Sequence, residues 1–448
     1  MIKDFFTLPD LDLSQESSVD PMGLQVIWTT YGQHIFSEKL TTIANDPRVF
    51  TFNLFHNYTI NNLFKEHVEE LQHAKAYYKG WQTEADVKTG LLMFLEDLVT
   101  WIFFLQEKDS EIKIDKLGVL GLIKARNLHN TEDENRIFLT ANKRSGLLKN
   151  QINLGMSGRY KGPMMIMEFF DRSYAYLPKT WEQVDRFMIK WTEAKELESQ
   201  ISKFIRNVLF ESAKKENPQI SLYDIKTHKL WKSIANGYVN CFGKRRLPKD
   251  VRLYWQDKLG LLSGAPNALY QQIAMLNSAD YINHKLVFTK ARKAVMNELA
   301  ELEKLDVVIQ IEPLLSHSEF VLKYVSQQAI KNLSDVSKNL SLLREEIRKA
   351  GTISVQNPHP RLIELQKVMV SDGSLNYWIH AILVYHKKVM EQRGGNMWVE
   401  LNDKGTLKHN FCAALPEYIN TVPKYLKANV WLHTYYLESV SSIHSGLN

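Results

Sequence analysis

The stretch from Asp46 to Phe64 reads DPRVFTFNLFHNYTINNLF, and its pattern predicts the class of the fold. Asp46 followed by Pro47 is typical of a helix start, because an aspartate side chain accepts from the first free N–H groups and proline suits the first helical position. The segment that follows is apolar on nearly every side of a helix, through Phe50, Phe52, Leu54, Phe55, Tyr58, Ile60, Leu63 and Phe64. A helix of this kind lies at the centre of a core.

Helical spacing continues on both sides of this segment. Leu24, Ile27, Trp28 and Tyr31 share one helix face. Further helices are predicted at about 86–106, 180–215, 284–306, 317–350, 361–392 and 430–443, with short helices between 218 and 283. The segment 397–405 contains a turn, Asn402-Asp-Lys-Gly405, and predicts a β-hairpin. The sequence therefore predicts a mainly α, multi-helical protein with a minor C-terminal β-hairpin.

Changes in composition along the chain predict three regions. Residues 1–116 form an N-terminal helical domain, 117–283 a basic middle region, and 284–448 a C-terminal helical domain with the short hairpin. The middle region holds many of the glycines and an extended piece, 174–180, that leads into a helix. A short helix, an extended piece and a longer helix would suit a winged-helix-like module.

Cysteine content and apolar runs indicate the compartment. Cys241 and Cys412 are too few and too far apart for a disulfide framework or a zinc module. The opening segment, 1–6, lacks the charged and apolar regions of a signal peptide. Glu96 and Asp97 interrupt the longest apolar run, 90–105, which is also shorter than the roughly 20 residues a membrane span needs. We therefore expect a cytoplasmic protein with no membrane partner.

Short motifs of common enzymes are absent from the sequence. It contains no Walker phosphate loop, no Gly-x-Gly-x-x-Gly, no Gly-x-Ser-x-Gly, no His-Glu-x-x-His and no Cys-x-x-Cys. No catalytic residue, metal site or cofactor is predicted on this basis, although a site assembled from scattered residues stays open.

Two short spacings bring together side chains that could bind a metal ion. Glu70 and His73 would share one helix face, as in di-iron bundles, but such sites need a second pair that the sequence lacks. A solvated helix face is the simpler interpretation. His409 and Cys412 could begin a metal or nucleophile site, yet no second pair is nearby, and a buried cysteine beside a surface histidine is the simpler interpretation.

A third spacing resembles that of metal-dependent nucleases. Asp97 is followed by Glu111-x-Lys113, where two acids would hold a divalent cation and the lysine would support the attacking water. In such sites the acids lie on adjacent strands, whereas Asp97 belongs to a strong helical pattern. The helical pattern therefore argues against a nuclease site at Asp97.

Two basic clusters are the strongest binding signals. The first, at 142–162, contains no acid and holds Lys143, Arg144, Lys149, Arg159 and Lys161. The second holds Lys226, Lys229, Lys232, Lys244, Arg245, Arg246, Lys249, Arg252 and Lys258, interleaved with Tyr238, Phe242, Tyr254 and Trp255. Cations neutralise phosphates and aromatic rings stack on bases, so both clusters are candidate surfaces for nucleic acid or an acidic protein. A solvated surface is the alternative.

The motifs Asp20-Pro-Met-Gly-Leu, Leu40-Thr-Thr-Ile and Asp46-Pro-Arg48, with the later Gly158-Arg-Tyr-Lys-Gly-Pro163 and 167–171, carry a resemblance. Together they resemble helical accessory proteins encoded in bacterial anti-phage defence clusters. The resemblance implies a non-catalytic component that acts beside an ATPase or a nuclease.

Three functional hypotheses follow. The first is a non-catalytic scaffold subunit of an anti-phage or anti-plasmid complex, which bridges an ATPase (SMC-like in one version) and an effector nuclease and touches DNA. The second is a stand-alone DNA-binding protein that uses the basic middle region. The third is an enzyme without a short motif.

The scaffold hypothesis has two candidate anchors for a partner protein, Trp431 and Tyr435. Both belong to an unusually apolar C-terminal stretch, which could equally pack on the chain's own core.

Overall fold

The computed structural model describes residues 20–41, 46–69, 71–72, 81–109, 114–115, 119–131, 135–142, 145–212, 219–244, 246–261, 268–276, 283–327, 332–349, 353–402 and 405–448. Over these residues the chain is mainly helical, and its strands form two small antiparallel pairs. The prediction of a mainly α protein with a C-terminal hairpin is confirmed. Within the described ranges, none of the helices combines the length and the apolar character needed to cross a membrane.

The first half of the chain contains these elements: α1 (Leu24–Ile35), α2 (Pro47–Glu66), α3 (Glu84–Asp109), α4 (Leu122–Thr131), β1 (Arg136–Phe138), α5 (Gln151–Leu154), α6 (Met156–Ile166), α7 (Pro178–Lys190), α8 (Thr192–Ser212) and β2 (Gln219–Ser221). The second half contains α9 (Leu222–Thr227), α10 (Trp231–Phe242), α11 (Lys249–Leu259), α12 (Ala268–Ala274), α13 (His284–Ala294), α14 (Leu299–Val325), α15 (Leu333–Lys349), α16 (Pro360–Met369), α17 (Leu375–Arg393), β3 (Val399–Leu401), β4 (Leu407–His409), a 3₁₀ turn (Glu417–Ile419), α18 (Val422–Ala428) and α19 (Leu437–Leu447).

The chain divides into two compact units, and each is discontinuous in sequence. Unit 1 consists of Met1–Ser37 and Pro266–Glu438, and unit 2 consists of Glu38–Ala265 and Ser439–Asn448. The sequence analysis expected three consecutive regions instead. The difference has two causes. Helix α1 packs on α14 and α16, which come much later in the chain, and the last residues of the chain belong to unit 2.

The start of α2 is fixed by a buried charged cap. Asp46 Oδ1 accepts from the backbone N of Arg48 at 2.8 Å, and Asp46 Oδ2 pairs with the Arg48 guanidinium at 2.9 Å. Arg48 also pairs with Asp115 at 3.2 Å, and its side chain is 1% exposed. Every residue from Pro47 to Leu63 is buried, so α2 is the central helix of unit 2.

Helix α3 is the second long buried element of unit 2. It packs on α2, α4 and α10, and the predicted helix at 86–106 is present within its bounds. Gly90 allows the close approach of Trp81, whose Nε1 lies 2.5 Å from where a β-carbon on Gly90 would stand. The predicted helix at 180–215 is divided into α7 and α8, because Trp191 turns out of helical geometry and places its ring 5.6 Å from that of Phe242.

The extended pieces of the middle region do not form a hairpin among the residues described there. Strand β1 pairs with β2, which lies far along the sequence, with Ile137 opposite Ile220. The predicted extended piece near Tyr174 forms one antiparallel bridge, between Phe170 and Tyr176, and α7 follows. A wing made from two strands joined by a short turn is therefore not seen in the described part of 117–283.

Unit 1 contains α1 and the helices from α12 to α18. The predicted break between 306 and 317 was wrong, because α14 continues through Pro313, and the chain turns at 295–298 instead. The predicted hairpin pairs Val399 with His409 and Leu401 with Leu407.

Candidate anion-binding surface

Positive charge is concentrated in one segment of the chain. Residues 226–258 contain nine lysines and arginines but only two acids, so their net charge is +7, compared with +6 for the whole chain. The rest of the sequence is therefore close to neutral, and an anionic partner would be attracted to this segment.

Helix α10 provides the framework of the segment. Its buried face carries Ile234, Tyr238 and Phe242, and Gly237 lies so close to Leu197 of α8 that an added β-carbon would stand 2.7 Å from Leu197 Cδ1. The opposite face is exposed and carries Lys232, Ser233, Asn236 and Asn240. This face contains no acid and no bulky apolar side chain, so a partner can approach the backbone of α10 closely.

Exposed cations stand at both ends of α10, and we call them the basic surface: Lys226, Lys229, Lys232, Lys244, Arg246 and Lys249. The helix between them is roughly 18 Å long, from the rise of 1.5 Å per residue over 12 residues. Among the described residues, none of the five lysines forms an ion pair. Lys195 on α8, by contrast, pairs with Glu198 at 2.9 Å. The charges of these lysines are therefore available to a ligand.

The aromatic residues that the sequence placed with these cations are mostly buried. Tyr238, Phe242 and Trp255 are each 0% exposed, and the Tyr254 ring stacks on Phe187 at 4.5 Å. The hypothesis that these rings stack on bases was wrong, because helical spacing places Tyr238 and Phe242 on the core face of α10. Tyr223, which the sequence analysis did not single out, is 73% exposed and lies one turn before Lys226 on α9.

Two predicted arginines contact the last turn of α19 in unit 2. Arg252 Nη1 donates to the backbone oxygens of Leu447 and Asn448 at 3.0 and 2.7 Å, and Arg246 Nη2 donates to that of Asn448 at 2.7 Å. Gln256 Nε2 donates to Leu447 O at 3.0 Å and to Asn448 Oδ1 at 3.1 Å. These arginines are therefore already engaged. Arg245 lies outside the described residues.

The first predicted cluster is less accessible than the second. Lys143 and Arg144 lie outside the described residues. Arg159 and Lys161 lie on α6 and are partly buried. Lys161 Nζ donates to the backbone oxygen of Arg172 at 2.9 Å and lies 4.0 Å from the centre of the Tyr174 ring. Burial lowers the pKa of Lys161. The Lys161 ammonium is therefore already engaged within the chain.

Glu96 and Asp97, which interrupt the longest apolar run, accept hydrogen bonds from α6 and from the segment before it. Glu96 Oε1 accepts from Ser157 N at 2.5 Å and from Ser157 Oγ at 2.6 Å, and Glu96 Oε2 accepts from Gln151 Nε2 at 2.6 Å. Asp97 accepts from Leu147 N at 3.2 Å. Burial raises the pKa of both carboxyl groups. Glu96 thus caps the start of α6, where free N–H groups favour a carboxylate.

The motifs that carry the resemblance lie at helix starts in two places. Asp46 caps α2, as described above. Asp20 caps α1, since its carboxylate accepts from Leu24 N at 2.7 Å and Gln25 N at 3.0 Å, and it pairs with Arg393 at 2.8 Å. In this structure these residues stabilise the fold.

The candidate metal or nucleophile residues are not brought together where the structure describes them. Glu70, His73, Glu111 and Lys113 lie outside the described residues. Asp97 lies on α3, as the helical pattern indicated, and the structure shows that it is buried. Within the described ranges, no group of three or more His, Cys, Asp or Glu side chains is arranged to hold a metal ion.

The cysteines and His409 lie in different surroundings. His409 and Cys412 are both partly exposed, so neither matches the expected buried cysteine beside a surface histidine. Cys241 is buried on α10, and burial raises the pKa of its thiol to about 12. That thiol therefore stays protonated at neutral pH.

The candidate partner anchors are buried within unit 1. Trp431 is 5% exposed, Tyr435 is 0% exposed, and the Phe288 ring lies 5.0 Å from Trp431 and 5.6 Å from Tyr435. In this structure they pack in the chain's own core, which is the alternative that the sequence left open.

Tyr435 also contributes to a buried carboxyl site in unit 1. Glu312 on α14 is 0% exposed and accepts from Tyr435 Oη, Ser316 Oγ and Trp28 Nε1, the last at 2.8 Å. Burial raises the pKa of Glu312 to about 7, despite these donors. The site links α1, α14 and the segment before α19 through one titratable group.

Comparisons of the chain with protein-family models, with curated proteins and with solved structures found no match.

Proposed function

We propose that this protein is a non-catalytic helical subunit that binds nucleic acid through the basic surface around α10. The observation that carries the proposal is the set of exposed lysines, Lys226, Lys229, Lys232, Lys244 and Lys249, which form no ion pair among the described residues. Lysines of this kind release counterions when they contact phosphates, and that release is the main source of affinity in sequence-independent binding.

The exposed face of α10 favours nucleic acid over an acidic protein as the partner. Anchors of protein interfaces are usually tryptophan, tyrosine and arginine side chains at the centre of the contact. Here the aromatic side chains Tyr238 and Phe242 of α10 point into the core, and the exposed residues between the two cation groups are Ser233, Asn236 and Asn240. A surface of short polar side chains flanked by lysines fits a phosphate backbone, because hydroxyl and amide groups also donate to phosphate oxygens.

Tyr223 adds an aromatic group at the edge of this surface. It is 73% exposed, and Lys226 follows it by one helical turn. An exposed ring beside a cation can stack on an unpaired base while the cation neutralises the neighbouring phosphate. We therefore include single-stranded nucleic acid among the ligands to be tested.

The wider role is proposed from the resemblance to accessory proteins of anti-phage defence clusters. On that basis the chain acts in the cytoplasm, in a complex with an ATPase and an effector nuclease, and needs no cofactor of its own. Asp97 accepts a hydrogen bond from Leu147 N at 3.2 Å. This contact agrees with a non-catalytic role for this acid. A stand-alone DNA-binding protein is the second candidate, because the basic surface lies entirely on this chain.

Co-purification separates the two candidates. A tagged chain, expressed from its native gene neighbourhood, should recover an ATPase or a nuclease that mass spectrometry identifies. Recovery of a monodisperse monomer alone, which still binds DNA, would favour the stand-alone candidate.

The proposal that the protein is non-catalytic has its own test. Pure protein incubated with plasmid, ATP and magnesium should give no products. Turnover that the Asp97→Asn substitution abolishes would contradict the proposal.

A further inference from the structure

Arg246, Arg252 and Gln256 form a set of donors that we call the cradle, and the last turn of α19 lies in it. The acceptors are the backbone oxygens of Leu447 and Asn448, with Asn448 Oδ1. Carbonyl groups at a helix end carry partial negative charge, so they attract cations. Two guanidinium groups and an amide are also the donors that recognise a phosphate group.

Among the described residues, the hydrogen bonding of the cradle is incomplete. Arg252 Nε is buried and has no hydrogen-bond partner there, although Nη1 of the same side chain donates to two oxygens. A phosphate group offers several oxygens, so one of them can also accept from this Nε. A phosphate in the cradle would therefore satisfy more donors than the helix end does.

The cradle and the basic surface share Arg246, so a ligand bound to the basic surface can reach the cradle. Arg246 is exposed and lies between Lys244 and Lys249 in sequence, and Asn448, which it contacts, is exposed as well. Leu447 is 0% exposed, so this residue anchors the turn. Movement of Asn448 releases Arg246, whereas Arg252 must also break its hydrogen bond to Leu447 O.

We propose that the cradle is a second binding site for a phosphate group of nucleic acid, which the last turn of α19 fills until the phosphate displaces it. The inference rests on the proposed function, because the phosphate is delivered by nucleic acid bound to the lysines of the basic surface. The helix end acts as an internal competitor that engages the guanidinium groups of Arg246 and Arg252 until a ligand is present.

Hydrogen–deuterium exchange on the full chain tests the inference. The peptide that covers 444–448 is followed with and without a short duplex DNA, and separately with inorganic phosphate. Asn448 N donates to His444 O at 3.1 Å, so release of the turn should speed exchange of that amide at least severalfold. In the Arg246→Gln/Arg252→Gln variant, exchange should already be fast, and DNA should not change it.

The same variant gives a second readout. Each phosphate that a cation neutralises adds about 0.9 to the slope of log K against log salt, so removal of two such cations should lower the slope by about two units. A Lys349→Gln/Lys387→Gln variant is the matched control, because it removes two exposed, acid-paired cations from unit 1.

Each outcome bears on one proposal or both. DNA binding with unchanged or slower exchange of 444–448 overturns the inference and leaves the proposed function standing. Faster exchange with inorganic phosphate but not with DNA shows a free-phosphate site and overturns the nucleic-acid part. A chain that binds no DNA at all overturns the proposed function, and the inference with it.

Discussion

Ser157 donates two hydrogen bonds to Glu96, one from its backbone N at 2.5 Å and one from its hydroxyl at 2.6 Å, although 61 residues separate them. Glu96 is 2% exposed and accepts from Gln151 as well. The Glu96→Ala variant leaves these buried donors without an acceptor, so we expect it to lose about 3 kcal/mol of unfolding free energy. Urea denaturation measures the loss.

Glu107, near the end of the same helix, is the matched control for this experiment. Its side chain is 40% exposed and lies 3.8 Å from Arg126. Since an exposed pair contributes little, Glu107→Ala should change stability by less than about 1 kcal/mol. Equal losses in the two variants would show that Glu96 does not hold α6.

The buried carboxyl of Glu312 should make the stability of the protein depend on pH. Its pKa is raised from 4.5 to about 7 in the folded state, so between these values the folded chain holds a proton that the unfolded chain has lost. This contribution is complete below pH 4.5 and disappears as the pH rises through 7. By linkage it amounts to about 3 kcal/mol.

The Glu312→Gln variant should remove this fall in stability, because glutamine stays neutral at every pH. Urea denaturation at several pH values measures the difference between the variant and the native chain. Glu303→Gln, at an exposed position of the same helix, should leave the fall unchanged. A native chain whose stability is flat from pH 4.5 to 7, relative to Glu312→Gln, would contradict the assignment.

Tyr223 should contribute to binding of single-stranded nucleic acid by stacking. Removal of one stacked ring costs roughly 1–3 kcal/mol, so Tyr223→Ala should weaken binding of single-stranded DNA by about tenfold or more. The salt slope should not change, because the substitution removes no charge. Fluorescence anisotropy gives both quantities.

Tyr377→Ala is the control for the stacking experiment, since that tyrosine is 59% exposed on α17 of unit 1. We expect it to leave the affinity unchanged. If Tyr223→Ala binds as tightly as the native chain, the ring does not touch a base.

The sequence predicted features that depend on neighbours along the chain. Asp46 and Pro47 start α2 as expected, since a cap and its helix are adjacent, and the run of apolar residues in α2 signals burial on every side. The hairpin at 399–409 follows for the same reason, because its turn lies between its strands.

Contacts between distant segments could not be predicted. Glu96 appeared as an interruption of an apolar run, because its partner Ser157 lies far along the chain. Arg246 and Arg252 appeared as free cations, because nothing local shows that Leu447 and Asn448 reach them. We therefore expect charge reversal of Arg246 to change stability as well as any binding, and the lysines provide the cleaner variants.

The salt dependence of DNA binding tests the central claim most directly. The affinity of the native chain for a short duplex DNA is measured over a range of salt concentrations and compared with that of Lys226→Gln/Lys229→Gln/Lys232→Gln. The control is Lys349→Gln/Lys387→Gln/Lys388→Gln, which removes three exposed, acid-paired lysines. We expect the first variant to bind more weakly and its slope to fall by about 0.9 for each phosphate that it no longer neutralises, with no change in the control. Equal affinity and equal slope in the native chain and the first variant would contradict the claim that this surface binds nucleic acid.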